Sequence, residues 1–97
     1  MTDQTLCDVF VVDSDTKTRK ELRLIASSCG YSVMVFPDGQ QALGELAKTT
    51  PRLVILELLL PGLDGFELCQ AIRNEPKLTD LPLLCTTGIS WGSIDLE

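Results

Sequence analysis

Arg52-Leu-Val-Ile-Leu-Glu57-Leu-Leu-Leu-Pro61-Gly-Leu-Asp64-Gly65 is the stretch whose reading decides the fold. Pro51 and Pro61 leave about ten residues between them, barely the length at which a helix becomes favourable. Leu53 to Leu56 therefore reads as a short buried strand, and it delivers one carboxylate, Glu57, at its end. Four apolar residues in a row are what a parallel strand covered on both faces requires.

Downstream, Pro61-Gly62 makes a turn, and Asp64 and Glu67 stand at capping-box spacing with Leu63 and Leu68 placed as a hydrophobic staple. A helix from Gly65 to about Asn74 follows. Leu81 to Thr87 predicts a further strand, with Pro82 at its entrance, where a missing N–H is tolerated. Upstream, Cys7 to Val12 is an apolar run that stops at Asp13-Ser14-Asp15, a strand opening into a helix with Asp15 as N-cap. Leu22, Ile25, Ala26 and Cys29 recur at helical spacing as a stripe that packs on one face, and Gly30 ends that helix. Tyr31 to Phe36 reads as the next strand. Asp38 and Gln41 open a second helix at capping-box spacing, which Thr49-Thr50-Pro51 closes. Strands alternating with helices imply right-handed crossovers and a parallel sheet with helices on both faces.

Composition sets outer limits. At 97 residues the chain reads as one domain, 1–97, able to bury between ~60% and ~70% of its unfolded surface. A net charge of −6 disfavours a nucleic-acid backbone as partner. No apolar run approaches the ~20 residues of a membrane helix, and residues 1–6 do not resemble a signal peptide. Cys7, Cys29, Cys69 and Cys85 are widely spaced, with no histidine to complete a metal set, so they read as buried free thiols in a cytoplasmic protein.

In an open parallel sheet, ligands bind beyond the carboxyl ends of the strands. Those ends here are Asp13, Ser14 and Asp15 from the first strand, Glu57 from the third and Thr87 from the fourth. The run Val11-Val12-Asp13-Ser14-Asp15 with Arg19, then Glu57 followed by Leu60-Pro61-Gly62-Leu63-Asp64-Gly65, then Leu81-Pro82 leading to Thr86-Thr87-Gly88, resembles the receiver domain of two-component response regulators. Asp38-Gly39 with Ala42-Leu43 is similar to that family's second-helix opening.

The resemblance implies a flavodoxin-like α/β fold with strand order 2-1-3-4. A fifth strand with its Lys and a last helix would be absent after residue 87, leaving 88–97 as a tail that contains Trp91. It implies a phospho-accepting aspartate after the third strand, Mg²⁺ held by acids after the first strand and by that aspartate, and a switch hydroxyl at Thr87. Asp13 matches the first acid. Ser14 replaces the second, however, and Glu57 occupies the acceptor position. Asp13 and Glu57 are then at best a weak Mg²⁺ pair, and Asp15 reads as a cap before a ligand. Arg19 reads as a surface residue of the first helix.

The expectation is a degenerate or truncated receiver that is neither phosphorylated nor an enzyme. It would act by contact with signalling proteins, a histidine kinase or an output domain. Glu57 reads either as a strand-end carboxylate that solvates itself with no role or, more sharply, as a stand-in for a phosphorylated aspartate. The alternatives are a working Mg²⁺-dependent phospho-receiver and a flavodoxin-like binder of FMN or a nucleotide, which would lack a glycine-rich phosphate loop. An uncovered apolar fourth strand predicts a homo-oligomer through that strand or the tail. A fragment, a naturally shortened receiver and an assembly that covers the edge all fit.

Overall fold

The apolar run ending at Glu57 is a strand, β3 (Leu53–Glu57), in the computed structural model of the chain, which describes residues 7–87. It lies between β1 (Val9–Val12) and β4 (Leu83–Thr86), with β2 (Val33–Phe36) beyond β1, all parallel, in the order 2-1-3-4. Parallel neighbours need crossover connections. Three helices supply them: α1 (Thr16–Ser28), α2 (Gly39–Leu46) and α3 (Gly65–Asn74).

The core occupies one face of the sheet. Phe10, Val12, Val54 and Leu56 are fully buried there beneath Ala42 and Leu46 of α2 and Leu68 and Ile72 of α3. The Phe10 and Phe36 rings meet with centroids 4.9 Å apart, tilted by 58°. Each of these large side chains contributes about 1.5–3 kcal/mol by burial.

The other face is less complete than the sequence predicts. Val11 is buried, but α1 buries none of its residues, and Leu24 and Ile25 remain 71% and 59% exposed. Between α1 and β3 an apolar groove of about 440 Å³ stays open, lined in part by Leu22, Ile25, Ala26, Leu53 and Ile55. The helix packs mainly against β1 and β2, which leaves its stripe and the facing side of β3 incompletely covered.

Most local signals hold. Asp64 and Glu67 form both halves of their capping box, at 2.9 and 3.0 Å. Asp15 caps α1 through Thr18 N at 2.9 Å. At Asp38 only one half forms: its carboxylate accepts from Gln41 N, and the Gln41 amide turns to the same carboxylate instead of to the backbone. Gly30, at φ +91°, closes α1, with its own N–H on the Ser27 carbonyl and Tyr31 N–H on the Ala26 carbonyl. Those bonds draw Tyr31 into the helix end, which is why β2 starts at Val33 and not at 31.

At the other edge Leu81 N–H donates to the Leu78 carbonyl of a 3-10 turn, Pro76–Leu78, which the sequence pattern does not signal. Arg73 ties that turn to α3 through the Leu78 and Thr79 carbonyls. Strand β4 is shorter than predicted for that reason. Of the four cysteines only Cys7 is buried; Cys69 is half-buried and Cys29 and Cys85 are exposed, because the elements carrying them stand at partly uncovered surfaces. No described helix is long and apolar enough to cross a membrane. The expectations for the 88–97 tail and Trp91 lie outside the described residues.

Candidate functional site

The pairing register assembles the rim. Val12 pairs with Leu56 and Glu57 pairs with Thr86, so Asp13, Glu57 and Thr86 follow one another across three strands, with exposed Thr87 one residue further on. Ser14 enters from the β1–α1 loop. Its backbone N–H and its hydroxyl both donate to Glu57 Oε1, at 3.4 and 3.2 Å.

Asp13 is held from several sides. Its side chain is buried, its Oδ1 accepts Asp15 N–H at 2.9 Å, and its backbone N–H donates to the Phe36 carbonyl. Burial, with the Glu57 carboxylate beside it adding to the effect, raises its pKa above the ordinary carboxylate value, against the lowering pull of Asp15 N–H. A raised value means that ionised Asp13 works against folding at neutral pH. The Asp15 carboxylate points away: both of its bonds run to Thr18, and these lower its pKa.

Arg19 is not the surface residue the sequence suggests. It is half-buried, and its Nη1 donates to the Asp13 carbonyl at 2.6 Å while Nη2 reaches the Thr16 hydroxyl. It pins the start of α1 to the end of β1 and so sets the loop that carries Ser14. An arginine one turn into a helix that follows a strand-end acid is the signal that could have found it.

The β3–α3 loop holds Glu57 from the other side. Gly65 N–H donates to the Leu58 carbonyl at 2.9 Å, and a Cβ at Gly65 would stand 2.3 Å from the Glu57 carbonyl oxygen and 2.4 Å from Leu58 Cα. Gly62 takes φ +68°, which turns the chain back toward α3.

The description "response regulator receiver domain" fits this chain over residues 9–91. The chain belongs to the response regulator receiver family. This receiver is 40% identical over 80 residues to the response regulator MprA of Mycolicibacterium vanbaalenii, covering 82% of this chain and 34% of that protein. It superposes with a TM-score of 0.79 on the chemotaxis response regulator CheY4 of Vibrio cholerae, at 27% identity, covering 84% of this chain and 68% of that one. The receiver domain of a signal transduction histidine kinase from Syntrophus aciditrophicus matches with a TM-score of 0.80 at 27% identity, over 87% of this chain and 64% of that one. The chain spans about a third of the length of the first curated relatives it matches.

Two carboxylates, Asp13 and Glu57, therefore meet at the receiver's rim, with the Ser14 hydroxyl on Glu57, and each already accepts hydrogen bonds. Among the described residues no group of three or more His, Cys, Asp or Glu side chains is placed to hold a metal.

Proposed function

We propose that this receiver serves two-component signalling as a contact module that does not take up phosphate, and that Glu57 permanently occupies the acceptor position. The observation that carries this reading is the double donation from Ser14 to Glu57 Oε1. The acceptor-position carboxylate is clasped by a neutral neighbour where phosphoryl transfer would call for a metal-binding acid. Mg²⁺ demands near-octahedral oxygen ligands. Asp13, Glu57 and a serine hydroxyl do not fit that demand, so no step of the function runs through the metal.

The proposed partners are a histidine kinase or an output domain, met in the cytoplasm, and the acidic chain does not contact nucleic acid itself. Family membership leaves the flavin or nucleotide alternative without support. Glu57→Gln keeps the shape and removes the charge. Titrated calorimetrically against the cytosolic portion of a kinase that binds the parent, it is expected to weaken binding roughly tenfold, the worth of one charge-assisted contact. Equal affinity would end the stand-in role of Glu57.

The β4 edge supports self-association as well. Leu84 is 53% exposed on β4, the outermost strand among the described residues, and uncovered apolar edges pair with other chains. Light scattering is expected to report a dimer or larger species that Leu84→Lys shifts to monomer; a monodisperse parent monomer at high concentration would count against it.

A further inference from the structure

Cys69 on α3 and Cys85 on β4 place their sulfurs 3.7 Å apart. Both positions are set by packing: Cys85 is in register with Leu56, and Cys69 and Leu83 lie against the core cluster. A disulfide requires an S–S distance of about 2.05 Å, so closure asks for a movement of less than ~2 Å, within the reach of side-chain torsions. Cys7 is buried just before β1, with its thiol on the Val9 carbonyl, and Cys29 stands at the end of α1. Cys69 and Cys85 are the pair that can meet among the described residues.

We propose that Cys69 and Cys85 form a reversible intramolecular disulfide when this receiver encounters a low-molecular-weight disulfide oxidant. Cys85 is the exposed member and reacts first. Its thiolate attacks one sulfur of the oxidant, whose S–S bond breaks and releases one thiolate, leaving a mixed disulfide on Cys85. The Cys69 thiolate then attacks Cys85 Sγ, the mixed bond breaks, and a second thiolate leaves. The protein loses two protons and two electrons, and the oxidant is reduced to two thiols.

Burial, followed by the hydrogen bond and charge of Cys85, pushes the Cys69 thiol up to about 11, against a smaller pull downward from Arg73. Once Cys85 carries the oxidant's sulfur, its hydrogen bond and charge no longer act on Cys69, while burial, the largest cause, still holds the thiol up, so closure is favoured at alkaline pH. The bond would close a loop across 16 positions and tie α3 to the strand that continues into Thr86 and Thr87 at the rim.

The test is to incubate the native chain with oxidised glutathione at mildly alkaline pH, block the remaining thiols with N-ethylmaleimide, and map peptides without reduction. The expected result is a Cys69–Cys85 cross-linked peptide within one chain, with no covalent link between chains, reversed by dithiothreitol, with Tm raised on the order of 10 °C. Cys69→Ala, checked for folding by circular dichroism, should stall with glutathione on Cys85, and Cys85→Ala should leave Cys69 unmodified. If Cys69 and Cys85 of the parent both stay alkylatable under excess oxidant, if the mixed disulfide on Cys85 persists in the parent, or if the bridges form between chains, the proposal is overturned.

Discussion

Gly65→Ala is expected to destabilise the receiver by about 3–5 kcal/mol, a large share of the ~5–15 kcal/mol that a domain of this kind possesses. The added methyl would stand 2.3 Å from the Glu57 carbonyl oxygen and 2.4 Å from Leu58 Cα. Both obstacles are backbone, so neither can rotate away. Either α3 shifts, with loss of packing at the buried Leu68 and Ile72, or the end of β3 shifts and carries Glu57 away from Ser14. Thermal melts followed by circular dichroism should show Tm lower by roughly 15–30 °C. Gly44→Ala is the control. Gly44 lies inside α2 with nothing within 4 Å of the new Cβ, and the substitution should raise stability by about 0.5–1 kcal/mol. A Gly65→Ala melt within a few degrees of the parent would refute the close-approach account.

The second large effect concerns phosphoryl transfer. Incubated with Mg²⁺ and acetyl phosphate and read by intact mass, the parent is expected to gain no phosphate, and the double variant Ser14→Asp with Glu57→Asp to react at least about 10²-fold faster. Shortening residue 57 by one methylene moves the carboxylate back by roughly 1 Å, a displacement that alone can decide such rates. Aspartate at position 14 replaces a hydroxyl that now donates to Glu57 with a second anionic oxygen ligand, which a hard divalent cation requires to neutralise the transferring group. Phosphate on Glu57 of the parent would overturn the proposed function, whatever the double variant does.

Much of the site is legible in the sequence because its residues sit at ends that local chemistry marks. Asp13 and Glu57 each terminate an apolar run, Asp15 precedes a helical stripe, and Asp64 and Glu67 cap the helix after the acid. Arg19 is not legible as part of the site because a cation on a polar helix face looks the same whether it ends in water or on a carbonyl. Its bond to the Asp13 carbonyl depends on how α1 leaves β1. The shortening of β2 and β4 followed from capping bonds of Tyr31 and Leu81, whose partners are chosen by the turn geometry and not by β propensity.

The sequence by itself determined the order and type of the elements, the parallel sheet and the identity of the acids at its rim, because hydrophobic period, proline placement and caps act over a few residues. Tertiary structure alone decided that Ser14 clasps Glu57 across 43 positions of chain, that Gly65 must lack a side chain, that Cys69 meets Cys85, and that α1 leaves a groove open over β3. Those facts depend on register and helix placement, which are set by the packing of whole faces, and no local pattern encodes them.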